Sequence, residues 1–140
     1  MMTKTISIII ATYNASRTLD GCLESIVSQL NKRTELLIID GGSNDVTFDI
    51  IQKYKESIAY TISEEDNGIY DAWNKGVKAS NGDWIMFIGA DDILLPNAIT
   101  AYLQIIDSIR DINSYDYICA HNEYVDMNGK MLKIMGKPPV

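Results

Sequence analysis

Short apolar runs rich in β-branched residues alternate along this chain with stripes of helical period. That alternation constrains the fold more than any other feature. Thr5 to Ala11 reads as a buried strand. Leu19, Cys22, Leu23, Ile26, Val27 and Leu30 follow at three- and four-residue spacing, the stripe of a helix packed on one face, with Asn14 and Ser16 as its expected caps. Glu35 to Ile39 is a second strand, and Thr47, Ile50, Ile51 and Tyr54 mark a second helix capped by Ser43 or Asn44. A strand over Ile58 to Ile62, a helix striped by Ile69, Ala72, Trp73, Gly76 and Val77, and a strand over Asp83 to Ile88 come next. Pro96 opens a fourth helix along Ala98, Ile99, Tyr102, Leu103 and Ile106. Tyr117 to Val125 and Lys130 to Ile134 flank the turn from Asp126 to Gly129. Strands apolar throughout are buried on both faces, so the expected class is α/β: a mostly parallel sheet with helices on both faces. The C-terminal β-hairpin is expected to add antiparallel strands at one side.

The 140 residues suffice for one domain, and no repeat or low-complexity linker divides them. A net charge of -7 lacks the basic footprint of a nucleic-acid protein, so no nucleic acid is expected as partner. Acidic side chains still suit phosphate held through a divalent cation. Cys22 and Cys119 lie far apart with no metal-binding spacing, which reads as reduced thiols in a cytoplasmic protein. The run from Ile6 to Ala11 is far too short to span a bilayer. The sequence sets no oligomeric state.

In open α/β sheets ligands bind beyond the carboxyl ends of the strands, and the polar residues of this chain gather there. The strands end in Thr12-Tyr13-Asn14, in Asp40 to Asp45, in Ser63 to Gly68, and in Asp91-Asp92. Each cluster alone is ordinary turn chemistry or a solvated acidic loop; the coincidence of four is less ordinary. Adjacent carboxylates after a buried strand repel unless a cation sits between them, and a hard divalent ion on one or two carboxylates keeps positions open for phosphate oxygens. No glycine-rich dinucleotide fingerprint and no Walker-type loop is present, so a metal-assisted nucleotide-diphosphate site fits better than an NAD or P-loop site. Lys75 and Lys78 read as a solvated helix face, Trp73 and Gly76 as helix-to-sheet packing, and His121 as a structural or surface residue.

These stretches resemble the Rossmann-like nucleotide-binding half of family-two glycosyltransferases of the GT-A fold. The match lies in Ser7 to Asn14 with the helix through Gln29, in Glu35 to Asp45, and in Ser63 to Gly76 continuing through Gly82-Asp83 to Phe87 to Asp92. The resemblance implies that Thr12, Tyr13, Asn14, Asp40, Gly41, Asn67, Gly68, Asp71 and Asp91 bind a nucleotide-sugar donor, with Asp40 on a uracil-type base. It also implies that Asp91 and Asp92 hold Mg2+ or Mn2+ on the diphosphate. The family often has a further acid two residues before the pair, where this chain has Gly89.

The implied reaction is an inverting transfer from a UDP-sugar to a hydroxyl of a saccharide or lipid-linked acceptor. A lipid-linked acceptor would bring the protein to the inner membrane face. In members with this pattern the general base lies well beyond the hairpin. Residues 1–140 are therefore expected to be a donor-binding domain cut off before the acceptor-binding half, without transfer activity alone. The alternatives are a non-catalytic nucleotide-sugar-binding or assembly module, and a nucleotidyltransferase, which Thr12-Tyr13-Asn14 fits poorly for want of a basic glycine-rich loop.

Overall fold

A computed structural model describes residues 3–136, and the chain divides into two compact units, 1–108 and 109–140. The first unit runs β1 (Ile6–Thr12), α1 (Leu19–Val27), β2 (Thr34–Asp40), α2 (Thr47–Lys53), β3 (Tyr60–Ser63), α3 (Ile69–Ala79), β4 (Trp84–Gly89) and α4 (Ala98–Ser108). Its four strands form one sheet in the order β3-β2-β1-β4, and every neighbouring pair is parallel. The expected α/β class is therefore what the chain adopts.

Alternation along the strands divides the core into two layers. Ile9, Leu37 and Ile39 point to one face and pack against Ala72 of α3, with Trp73, Ile62 and Ile85 around them. Trp73 also lies against Phe87 of β4, ring centroids 4.7 Å apart. Gly76 is the closest approach of that helix to the sheet: a Cβ there would stand 2.5 Å from Ile9 Cγ2. Ile8, Ile10, Leu36 and Ile38 point to the other face and are fully buried, as are Leu19, Leu23 and Ile26 of α1, Ile51 of α2 and Ile99 of α4. Burial of such side chains contributes roughly 1.5–3 kcal/mol each, which is why the uninterrupted isoleucine and leucine runs become the central strands β1 and β2.

The helix starts differ from the sequence expectation. Neither Asn14 nor Ser16 caps α1, whose N-cap is Thr18 without a side-chain bond. Asn14 takes a left-handed φ of 47°, and its amide oxygen accepts instead from Asn44 N–H at 3.0 Å. At α2 the N-cap is Val46, and it is Asp45, not Ser43 or Asn44, that accepts the Thr47 N–H at 2.9 Å. A carboxylate outcompetes a hydroxyl or amide for an N–H at the positive end of a helix.

The second unit holds β5 (Asn122–Val125) and β6 (Met131–Met135), antiparallel and joined as a separate two-stranded sheet. The hairpin is present, but it does not extend the parallel sheet, and Tyr117 to His121 carry no strand. Asp126 sets the turn by accepting the Asn128 and Lys130 N–H groups at 2.9 Å each, and Gly129 supplies the positive φ of 80°.

Candidate functional site

Register brings Thr12, Asp40 and Ser63 side by side at the carboxyl ends of β1, β2 and β3. Asp40 is fully buried there. Its Oδ1 accepts from Thr12 Oγ1 at 2.8 Å and Ser43 Oγ at 2.6 Å. Its Oδ2 accepts from Ser43 N at 2.9 Å and Ser63 Oγ at 2.6 Å. Burial pushes this carboxyl up, but the bonds from Ser43, Ser63 and Thr12 outweigh it and hold the group below the ordinary aspartate range. Both oxygens of Asp40, the residue expected on a base, take these four bonds within the protein. Asp40 ties three strand ends and the 41–43 turn together, and Thr12 spends its hydroxyl on the same knot.

Above that knot opens a cleft of about 570 Å³ lined by Ala11, Thr12, Tyr13, Gly41, Gly42, Glu65, Asp66, Gly68, Ile69 and Ala72. Thr12, Tyr13, Gly41 and Gly68 of the expected site thus meet in one place, with Tyr13 65% exposed. The loop from Ser63 to Gly68 forms one wall, and Lys75 fastens it to α3. Its Nζ lies 3.0 Å from Glu64 Oε1 and 3.8 Å from Asp71 Oδ2, and donates to the Glu65 carbonyl at 3.3 Å. Asp71 accepts the Asn67 N–H at 3.0 Å. Asn67 and Asp71 do not line this cleft; they brace its wall. Lys75, expected to be a solvated surface residue, is a bracket as well. Gly68 turns the chain into α3 at φ 106°, a conformation for which glycine is suited.

A second, smaller cleft is lined by Tyr13, Asn14, Ala15, Ser16, Arg17, Thr18, Asp45, Ala90 and Asp91. Asp91 and Asp92 follow β4 in a tight turn in which Asp92 N donates to Gly89 O at 3.0 Å and Asp92 Oδ2 accepts the Gly89 N–H at 2.9 Å. A Cβ at position 89 would stand 2.9 Å from Asp92 Oδ2 and 3.0 Å from Asp91 Oδ1. The two carboxylates thus fold over the space that a side chain at Gly89 would occupy. Helix α1 and the turn after it hold the segment that follows: Ser25 Oγ accepts the Leu94 N–H at 3.0 Å, and Gln29 donates to Leu95 O at 2.9 Å and accepts from Ile99 N at 3.2 Å. Beneath the pair, burial and then the charges of Asp92 and Asp91 push the Cys22 thiol up to about 12, so it stays protonated.

Two adjacent exposed carboxylates are a hard-oxygen donor set suited to Mg2+ or Mn2+. Among the described residues no group of three or more His, Cys, Asp or Glu side chains is placed to enclose a metal ion. The pair therefore fits an ion that fills most of its shell with phosphate and water oxygens. Sequence reasoning gave Asp66, Arg17 and Asp45 no individual role, and it read Lys75 as solvated. All four lay in stretches it had already marked, but the direction of their side chains is a tertiary matter.

A parallel α/β sheet with a two-part cleft at its carboxyl edge, a cradle of small residues on one side and an exposed acid pair on the other, defines an α/β class of protein open to a ligand beyond its strand ends. Within it, the chain belongs to Glycosyl transferase family 2, whose profile matches residues 7–131. It is 42% identical over 91 residues to the PGL/p-HBAD biosynthesis glycosyltransferase of Mycobacterium bovis, covering 63% of this chain and 36% of that protein. It is 31% identical over 135 residues to the Escherichia coli UDP-Glc:alpha-D-GlcNAc-diphosphoundecaprenol beta-1,3-glucosyltransferase WfaP, covering 96% of this chain and 52% of that protein. The chain thus spans between about a third and about half the length of these relatives. Similar folds include residues 1–349 of S. aureus TarS in complex with UDP-GlcNAc, at TM-score 0.67 and 23% identity over 74% of this chain and 31% of that one. The mannosyltransferase PcManGT of Pyrobaculum calidifontis, in complex with GDP-Man and Mn2+, superposes at TM-score 0.69 with 18% identity over 81% of this chain and 39% of that one. GT-A glycosyltransferases are therefore its structural neighbours.

Proposed function

We propose that residues 1–140 are the donor-binding part of an inverting glycosyltransferase that uses a uridine-diphosphate sugar and a divalent cation. The observation that carries this reading is the adjoining pair of clefts, which share Tyr13 and end at Asp91. The base lies in the cleft over Gly41 and Gly42, the ribose against Tyr13, and the diphosphate toward Arg17, Asp91 and Asp92. The small residues there let a flat ring approach the backbone, and Arg17 offers the positive charge that phosphates require. The UDP-glucose in the name of the E. coli relative supports uridine.

In this reading Asp91 and Asp92 would hold Mg2+ or Mn2+, which would supply positive charge to a diphosphate leaving group. The Gly89 N–H on Asp92 Oδ2 orients that carboxylate, and the Ser25 and Gln29 bonds keep the loop from shifting under the ligand. The acceptor, a saccharide or lipid-linked hydroxyl, is deprotonated by a carboxylate supplied from sequence outside residues 1–140. No helix among the described residues is long and apolar enough to cross a membrane.

Titration calorimetry with UDP, GDP, CDP and ADP, with and without Mn2+, tests the reading. Uridine binding that tightens with Mn2+ is expected, and Asp92→Ala should remove the tightening while leaving the fold intact. Binding indifferent to metal, or no binding to any nucleotide, would overturn it. Sugar transfer to a supplied acceptor by the 140-residue chain alone would refute the division between donor and acceptor parts.

A further inference from the structure

Asp91 and Asp92 sit on an exposed turn, yet the chain on both sides of that turn is fastened to one helix. Upstream, the Cys22 thiol donates to the Gly89 carbonyl at 3.4 Å. Just past the pair, Ile93 lies on α1: a Cβ at Gly21 would stand 3.6 Å from Ile93 Cδ1. Downstream, Ser25 Oγ accepts the Leu94 N–H at 3.0 Å. Gln29, half-buried, makes the largest set of bonds. Its Nε2 donates to Leu95 O at 2.9 Å and to Ser25 O at 3.0 Å, with Leu94 O further off at 3.4 Å. Its Oε1 accepts the Ile99 N–H at 3.2 Å. Cys22, Ser25 and Gln29 follow one another at three- and four-residue spacing, which keeps them on one face of α1 and its closing turn.

The Gln29 bonds straddle Pro96 and Asn97, where the backbone has little to hold itself with. Pro96 has no N–H to give, and Asn97 takes a left-handed φ of 65°. The Ile99 N–H belongs to the first turn of α4, where no partner exists inside the helix. One amide thus anchors the loop after the acid pair and closes the start of the helix that follows. We propose that Gln29 is a positioning residue for the cation, fixing the backbone after the turn so that the Asp91 and Asp92 carboxylates stay together against their mutual repulsion. This rests on the donor-binding reading above and deepens it. Like charges side by side relax apart wherever their backbone can move, and here spreading them breaks the Gln29 bonds. Among the described residues Gln29 bonds to neither carboxylate, so its effect passes through the backbone alone.

The test is UDP affinity by titration calorimetry with and without saturating Mn2+, read as the ratio of the two, for wild type, Gln29→Ala, Ser25→Ala and Arg33→Ala. Loss of competent protein scales both affinities alike, so a merely structural defect leaves the ratio where it was. Gln29→Ala should cut the Mn2+ enhancement about tenfold with the metal-free affinity unchanged. Ser25→Ala, which frees only the Leu94 N–H, should cut it about threefold, and it decides the matter should Gln29→Ala fail to fold by circular dichroism. Arg33→Ala is the control. Arg33 pins the far end of α4 through two 2.8 Å bonds to Asp107 and makes no bond to residues 89–99, so the enhancement should hold. An undiminished enhancement in the folded variant, or an equal loss in Arg33→Ala, overturns the role of Gln29 and leaves the metal reading standing. A wild-type chain whose UDP binding ignores Mn2+ overturns the metal reading and this inference with it.

Discussion

Replacing Asp40 by asparagine separates a structural knot from a ligand contact. The carboxylate takes four hydrogen bonds, from Thr12 Oγ1, Ser43 Oγ, Ser43 N and Ser63 Oγ, at 2.6–2.9 Å with no solvent exposure. An amide has one acceptor oxygen. If that oxygen faces Thr12 and Ser43 Oγ, the amide NH2 meets the fixed Ser43 N–H. If it is flipped, the Thr12 and Ser43 hydroxyl protons lose their acceptor. Either way one or two buried donors go unpaired, at about 1–3 kcal/mol each, so a loss of about 3 kcal/mol is expected. With a melting entropy of about 0.3 kcal/mol/K for a chain of this length, that is a fall in Tm of about 10 °C. Urea unfolding followed by circular dichroism reads it, with an unchanged m-value showing that only stability moved. A loss under about 0.5 kcal/mol would mean that the four donors are not held as described. Full stability with lost nucleotide affinity would return Asp40 to direct contact with the ligand.

Acid should expose the same group. The Asp40 pKa is lowered by folding, and that of Asp45 falls to about 2 under the Thr47 hydrogen bonds, with Ser16 assisting. Stability from such groups is present above the unfolded pKa of about 4 and lost as pH falls through the folded values. Unfolding free energy is therefore expected to be level from pH 7 to about 4 and to drop below it, with the gap between wild type and Asp40→Asn closing over the same range. Gly76→Ala gains about 1 kcal/mol of helix propensity but drives a methyl to 2.5 Å from Ile9 Cγ2, so a net loss of about 1–2 kcal/mol by urea titration is expected; a stabilised variant would show that α3 stands further from the sheet. Gly89→Ala presses a methyl against both exposed carboxylates, at 2.9 and 3.0 Å. It should weaken Mn2+-dependent nucleotide binding about tenfold while leaving Tm nearly unchanged; intact metal dependence would detach the pair from the ion. Cys22 should resist iodoacetamide in the native state, because burial keeps its thiol protonated; prompt alkylation would contradict the packing of α1.

Strand-helix alternation, the parallel class and the location of the polar clusters were legible because each depends on period and order. Ile8 and Ile9 are both apolar, both buried and on opposite faces, and only a strand covered on two sides permits that. Less legible were the ends. Whether Asp45 or Ser43 serves the start of α2 depends on a competition among neighbours within a few ångströms, which linear spacing does not resolve. The hairpin was visible from its turn residues, but its separation from the parallel sheet depends on which backbone groups find partners.

The sequence by itself determined the layers of this protein, its family and the edge of the sheet at which chemistry gathers. The layers follow from hydrophobic burial, which acts on patterns and is indifferent to the direction of a single polar group, while the family and the edge follow from the order of the polar motifs after the strands. The tertiary structure decided the division of labour among the acids. Asp40 is enclosed and spent on Thr12, Ser43 and Ser63, Glu64 and Asp71 are tied to Lys75, and Asp66 is left with an open oxygen over Gly41. Identical side chains along a chain become a brace or an open acceptor only when the fold sets which hydrogen-bond donors lie within 3 Å of each.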